Sequence, residues 1–276
     1  MQRELLEILY NTRLGRICLK ALINPRVSEI AGMFLDTCFS KIIIRPFIRY
    51  NNINISECER EKIRDYESFN DFFTRELKEN ARRFEMEPSV LASPCDSRLS
   101  VYKISGDAVF NIKDTSYTMD ELVKNKALAK RYEGGFLCVF RLSVDDYHYF
   151  SYVDDGRRSK NYRIPGVFHT VAPAATENIP VYKENTREFS LLKSDNFGTI
   201  LMMEVGAMLV GRINNFHEEK NVSRGETKGC FEFGGSTVIL AFERDKVQFF
   251  EEILENSAKG IETRVLMGEA VGWAGI

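Results

Sequence analysis

From Leu99 to the C-terminus the sequence runs as short apolar segments with almost no room for helices between them. Phe136–Leu142, Tyr147–Val153, Gly166–Val171, Phe189–Leu192, Ile200–Ile213, Thr237–Phe242 and Lys246–Phe250 are rich in β-branched and aromatic residues, and charged or glycine-containing turns separate them. A parallel pair needs a long crossover, usually a helix, so strands spaced this way must pair largely antiparallel. Helical patterns come earlier. Leu5, Leu6, Ile8, Leu9, Leu14, Ile17, Leu19, Leu22 and Ile23 cover a broad face, Asn24-Pro25 interrupts it, and Val27, Ile30, Ala31, Phe34, Leu35 and Cys38 resume at i, i+3, i+4 spacing. Asp65 to Leu77 reads as a further helix with Ser68 and Asp71 spaced for capping, and Thr118-x-x-Glu121 is a capping box opening a helix through about Lys130. The predicted fold class is α+β and β-rich, with N-terminal helices in residues 1–50 followed by a largely antiparallel β-sheet body in 51–276.

Charge divides along the same boundary. Residues 1–50 carry eight Lys/Arg against four Asp/Glu, whereas the remaining 226 carry thirty against thirty-six, so the overall net charge of −2 conceals a basic leader. A basic leader points to an anionic partner, membrane or nucleic acid. Lys41-Ile-Ile-Ile-Arg45 sets an apolar cluster between two cations, a pattern suited to an anionic interface, although such helices can also simply pack on the body. No apolar run reaches the roughly 18–20 residues of a membrane span. Glu4, Glu7, Arg13 and Arg16 break any signal-peptide layout. The six cysteines (18, 38, 58, 95, 138 and 230) form no C-x-x-C pair, which argues against a zinc site or disulfide framework and for a reducing compartment. G-x-S-x-G, P-loop, G-x-G-x-x-G and H-E-x-x-H signatures are missing, and only His148, His169 and His217 could supply an imidazole.

The tract from Arg224 to Leu240 carries the chemistry. Gly234 and Gly235 precede Ser236, and a strand-forming run follows. Glycine opens turn geometries closed to other residues, so the Ser236 hydroxyl can approach the Gly235 carbonyl carbon. A bare Gly-Ser-Thr also occurs in ordinary hairpin turns. The longer pattern G-E-x-x-G-x-F-x-F-G-G-S-T-V resembles the phosphatidylserine decarboxylases of bacterial type, which are self-processing pyruvoyl enzymes. Phe69-Asn-Asp-Phe-Phe-Thr-Arg75, Ser93-Pro-Cys-Asp96-Ser, Arg141-Leu-Ser-Val-Asp-Asp-Tyr-His148, Asn185-Thr-Arg187, Val205-Gly-Ala-Met-Leu-Val-Gly211 and Glu262-Thr-Arg-Val265 match further family segments in the expected order. The resemblance implies a precursor cut between Gly235 and Ser236 into a β chain of 1–235 and an α chain of 236–276, the latter capped by a pyruvoyl group made from Ser236. It implies that the ketone takes the substrate amine as a Schiff base, that loss of CO2 turns phosphatidylserine into phosphatidylethanolamine, and that His148 protonates the carbon left behind. It also implies a peripheral enzyme at the cytoplasmic face of the cell membrane, a possible homodimer, and no nucleic-acid partner.

The residues for processing follow from the same resemblance. Asp96 matches the family's orienting carboxylate. The family usually reads D-Y-H-x-x-H, and here Ser151 stands where the second histidine, the processing base, is expected. A serine cannot replace an imidazole near neutral pH. Either His148 serves both steps or another histidine fills the gap. His169 is the candidate, because adjacent strands bring side chains within about 5 Å, although a satisfied strand histidine would look the same. His217 reads as a solvated loop residue. A pyruvoyl decarboxylase of a soluble amino acid and a non-catalytic membrane-bound homologue are the alternative functions.

Overall fold

The computed structural model describes residues 25–112, 115–167, 169–170, 180–207, 212–234 and 236–275. The helical pattern of residues 5–23 and the predicted cleavage residue Gly235 lie outside them.

Helix α1 (Pro25–Leu35) starts at a proline, whose missing N–H costs nothing in a first turn. A 3₁₀ turn, Cys38–Ile43, leads into α2 (Ile44–Asn51), and α3 (Phe69–Phe73) follows. Ser68 caps α3 by accepting from the Asp71 N–H. The predicted Asp65–Leu77 helix is shorter than expected. Its first residue ends a 3₁₀ turn (Ile63–Asp65), Tyr66 and Ser68 are extended, and beyond Thr74 the chain turns to carry the Arg75 guanidinium inward to the carbonyls of Phe73 and Asp146.

The body opens with β1 (Val90–Ala92), β2 (Ser97–Lys103) and the hairpin β3 (Val109–Ile112) and β4 (Thr115–Thr118). The Thr118–Glu121 capping box forms as expected. The helix it opens is two helices, α4 (Met119–Val123) and α5 (Lys126–Lys130), because Lys124 turns left-handed at φ +52° and Asn125 caps afresh. Then come β5 (Phe136–Leu142), β6 (Tyr149–Ser151), β7 (Gly156–Arg158), β8 (Tyr162–Ile164), α6 (Val181–Glu184), β9 (Arg187–Ser194) and β10 (Thr199–Gly206). The chain closes with β11 (Ile213–Asn215), β12 (Lys220–Val222), β13 (Thr227–Phe231), β14 (Ser236–Phe242), β15 (Val247–Phe249), α7 (Glu251–Ala258), β16 (Thr263–Val265) and β17 (Ala270–Ala274).

One large sheet organises the molecule, in the order β12-β7-β9-β10-β14-β5-β2-β16, with β8 also on β9. Every ladder in it is antiparallel, as the scarcity of crossover helices requires. β10 and β14 lie at its centre and are buried at every residue, which explains why they read as unbroken apolar runs rather than alternating ones. The small sheet β11-β13-β6 lies beside it, and β13 delivers the chain toward Ser236.

A second apolar cluster joins the helical leader to the body. Leu35, Ile44, Tyr66, Phe69, Phe72 and Phe73 form its buried centre, with Phe47, Ile48 and Phe233 packed against it. Packing therefore runs across residue 50 rather than stopping there. The outward side is different in kind, because Ile30, Met33, Phe34, Phe39 and Ile42 are each more than half exposed.

Candidate active site

Ser236 is the first residue of β14, with Gly206 of β10 and Leu142 of β5 as its neighbours in register. It is fully buried, and its Oγ finds no hydrogen-bond partner among the described residues. An unpaired buried hydroxyl is an unfavourable arrangement that a purely structural serine has no reason to keep. Two residues before it, Gly234 adopts φ +140°, a backbone conformation that side chains with a Cβ resist. Gly234 thus supplies a backbone conformation suited to a turn two residues upstream of a hydroxyl with no partner among the described residues.

His148 lies on the loop entering β6 and is fully buried. Its Nδ1 is 2.9 Å from the Asp146 carbonyl oxygen. A carbonyl only accepts, so the proton of the neutral ring is on Nδ1, and Nε2 keeps its lone pair. That Nε2 is buried with no hydrogen-bond partner among the described residues. The Phe73 ring packs on the imidazole with centroids 4.1 Å apart. Burial pushes the His148 pKa down from 6.5 to about 3, and the neighbouring Arg75 guanidinium adds to the shift against weaker opposition from the Asp146 and Gly234 backbones. The Asp146 carbonyl accepts from both Arg75 Nη2 (3.3 Å) and His148, so cation and imidazole share one anchor. The tract before Ser236 is tied here too, since the Phe231 N–H donates to the His148 carbonyl at 2.9 Å.

This burial has a consequence for stability. The folded chain keeps His148 neutral down to about pH 3, whereas the ring takes a proton near 6.5 once unfolded. The unfolded state therefore binds more protons between those values, and stability falls as pH drops from 6.5 toward 3, by up to about 1.4 kcal/mol per unit. Denaturant titrations of wild type and His148→Gln at pH 7 and pH 5 check it. The variant should lose the one-proton slope.

Asp96 follows Pro94 and Cys95 between β1 and β2, with its carboxylate buried. Arg82 grips it through Nε at 2.8 and 2.9 Å and Nη2 at 2.6 Å, and the Met267 N–H donates to Oδ1 at 2.8 Å. Ser151 is alongside, its N–H donating to the Pro94 carbonyl and its hydroxyl 3.4 Å from the Met267 sulfur. The position where the family pattern expects a second histidine is thus next to the Asp96 loop, but here it carries a hydroxyl.

His169 is tied to the strand beside Ser236 through its backbone. Its N–H donates to Asn185 Oδ1 (2.9 Å), and its carbonyl accepts from Asn185 Nδ2 (2.7 Å). The same Nδ2 donates to the carbonyl of Gly206, the register neighbour of Ser236. The imidazole is buried, with Nε2 3.4 Å from Glu184 Oε2. Burial lowers its pKa, and Glu184 opposes the shift. Among the described residues the expected strand Gly166–Val171 shows a single bridge between Val167 and Asn185, and Phe168 and Val171 fall outside them. His217 is near β12, Nε2 3.4 Å from Glu226 and Nδ1 3.4 Å from the Tyr152 hydroxyl, in a partly exposed loop as its sequence suggests.

Three participants escaped the sequence reading. Arg82 has no motif around it. Arg75 and Asn185 fall inside quoted motifs, but spacing alone assigns them no role. The donor capacity of Asn185, which can bracket a backbone while reaching a second carbonyl, is the one signal that could have singled it out. Among the described residues there is no cluster of three or more His, Cys, Asp or Glu able to hold a metal ion.

The sequence is similar to those of known proteins. A family model described as phosphatidylserine decarboxylase matches residues 69–273. A Clostridium acetobutylicum protein named phosphatidylserine decarboxylase proenzyme 2 is 45% identical over 268 residues, covering 97% of this chain and 91% of that protein. Phosphatidylserine decarboxylase proenzymes of Ruminiclostridium cellulolyticum and Clostridium tetani are 39% and 42% identical, over 98% and 89% of this chain and 91% and 83% of their own lengths.

Proposed function

The chain belongs to the phosphatidylserine decarboxylase family, and we propose that it cuts itself at Gly235–Ser236 and then decarboxylates phosphatidylserine to phosphatidylethanolamine and CO2. The observation that carries this reading is Ser236 itself, a buried hydroxyl with no partner among the described residues, two residues after a glycine at φ +140°.

In the first step Ser236 Oγ bonds to the Gly235 carbonyl carbon, the amide C–N bond breaks, and the hydroxyl proton passes through a base to the freed nitrogen. An ester replaces the amide. In the second step a base takes the Cα proton of residue 236, the Cβ–Oγ bond breaks, and Gly235 leaves as a carboxylate. The remaining dehydroalanine takes up one water and loses ammonia, and a ketone is left at the new N-terminus. A group so formed fits the site, since it replaces a side chain already enclosed at the start of β14. Such a pyruvoyl group supplies an electron sink for the charge left when CO2 departs.

The chain's own residues set up the rest. The Asp146 carbonyl orients the His148 ring and leaves Nε2 as its proton-handling atom. His148 is neutral in the uncut chain, the form that accepts a proton, and it then delivers one to the carbon that has lost its carboxylate. β14 is paired on both sides, with β10 and β5, and Arg141 Nε donates to Glu262 at 2.8 Å. These bonds join residues 1–235 to 236–276, which supports a two-chain enzyme that stays together. Two such protomers in a homodimer belong to the same reading.

A lipid substrate requires the enzyme to come to a surface. No helix among the described residues is long and apolar enough to cross a membrane. The exposed Ile30, Met33, Phe34, Phe39 and Ile42, with Lys41 and Arg45 beside them, support peripheral association with the cytoplasmic face of an anionic bilayer. Expression should yield two masses, for 235-residue and 41-residue chains, and CO2 release from phosphatidylserine vesicles should be blocked by hydroxylamine, which captures the ketone. An active preparation consisting of a single intact chain would overturn the reading.

A further inference from the structure

Phe233 lies two residues before the cut, and its ring is not in the site but in the aromatic cluster of the leader. It meets Phe69 edge-on with centroids 5.0 Å apart, Phe73 at 5.1 Å and Phe47 at 6.2 Å. Phe73 is also the ring that packs on His148 at 4.1 Å. The cradle holding Phe233 therefore touches the catalytic imidazole on one side. On the other it continues, through Leu35 and Ile44 of the same cluster, to the helix and turn that expose Phe34, Phe39 and Ile42. Continuous apolar packing thus leads from the exposed face to His148, and a side chain from the segment that is to be cut is part of it.

On the reading given above, we propose that this cradle seats the ester-proximal methylenes of the substrate's acyl chain in the processed enzyme, and that Phe233 holds the seat in the uncut chain. The physical case rests on tethering. Before cleavage, residues 232–234 are fixed at both ends, by the Phe231 N–H on the His148 carbonyl and by β14. Cleavage frees one end, so keeping the ring seated now costs chain entropy that the covalent link had already removed. Gly234, at φ +140°, has the backbone freedom to let the segment swing out. The vacated surface is aromatic, next to His148 and continuous with the exposed apolar face. A lipid chain entering from a bilayer matches those three properties, and a soluble amino acid has no apolar segment to fill it.

The test separates the seat from the reaction. Carboxypeptidase Y applied to the processed two-chain protein should remove Gly235, Gly234 and Phe233 from the first chain, read by intact mass. A first chain that keeps Phe233 through prolonged exposure overturns the proposal, whatever the activity. In the processed enzyme, Phe47→Ala and the milder Phe47→Leu should lower kcat/KM for dihexanoyl phosphatidylserine at least about tenfold more than for glycerophosphoserine, mainly through KM, as expected for lost chain binding. Phe233→Ala should slow precursor cleavage severalfold yet keep that substrate ratio within about twofold of wild type. Equal effects of Phe47→Ala on both substrates, or a Phe233→Ala variant that loses chain discrimination as Phe47→Ala does, would overturn it. Absence of turnover with either substrate would instead strike at the decarboxylase reading, and the carboxypeptidase result would still decide the seat.

Discussion

Ser236→Ala leaves a single uncut chain of 276 residues and removes phosphatidylserine turnover by at least about four orders of magnitude, because both the nucleophile and the precursor of the ketone disappear together. The fold should not notice. Ser236 is fully buried, and its hydroxyl has no hydrogen-bond partner among the described residues, so alanine removes a polar atom that gains nothing in the folded state. Taking away an unsatisfied buried group is neutral or mildly stabilising. The neighbours in register, Gly206 and Leu142, lose no partner either. Loss of activity with an unchanged melting temperature is thus the expected signature, and it distinguishes a chemical defect from an unfolded protein. Ser236→Cys supplies a graded comparison, since a thiol can still attack the carbonyl. It should cut more slowly than wild type rather than not at all. Intact mass and CO2 release measure both variants, and an alanine variant that still yields two chains would place the cut elsewhere.

What could be read beforehand, and what could not, divides along lines of distance. The strand expected at Thr237–Phe242 and observed as Ser236–Phe242 is legible because a segment enclosed on both faces reads as an unbroken apolar run from Val238 onward. Ser236 stands out through the longer G-E-x-x-G-x-F-x-F-G-G-S-T-V pattern and its family resemblance, since a bare Gly-Ser-Thr fits an ordinary turn as well. The Arg82 clamp on Asp96 spans 14 residues, and the link from His169 through Asn185 to Gly206 exists only once β10 has folded against its neighbours. Phe69 and Phe73 lie in a segment that reads as a helix, yet the ring they enclose comes from Phe233, more than 150 residues away. Helix ends were misjudged for a related reason. The continuous pattern through Lys130 hid the left-handed turn at Lys124, where the Asn125 cap outweighs propensity.

His169→Ala should slow cleavage by at least about a hundredfold, as removal of a base does in triad chemistry, while His148→Ala, once cut, should be impaired in decarboxylation. The case for His169 begins with Ser151. Beside the Asp96 loop, where the family pattern expects the base, this chain has a hydroxyl 3.4 Å from a methionine sulfur. The Asp96 carboxylate is already engaged by Arg82 and the Met267 N–H. His169 has its own orienting carboxylate, Glu184, 3.4 Å from Nε2, and its backbone is held by Asn185 against Gly206, the neighbour of Ser236. Burial lowers the pKa of the ring, which favours the neutral form a base requires. Glu184→Gln should then slow cleavage less than His169→Ala, because it disturbs orientation and spares the proton acceptor. Time courses of intact mass from freshly synthesised protein measure these rates. Unaltered cleavage in His169→Ala returns the task to His148, whose free Nε2 is the other neutral acceptor beside the tract. Ser151→His approaches the question from the opposite side. If His169 has taken over the processing role, restoring an imidazole at residue 151 should rescue cleavage in the His169→Ala background and add little to the wild-type rate.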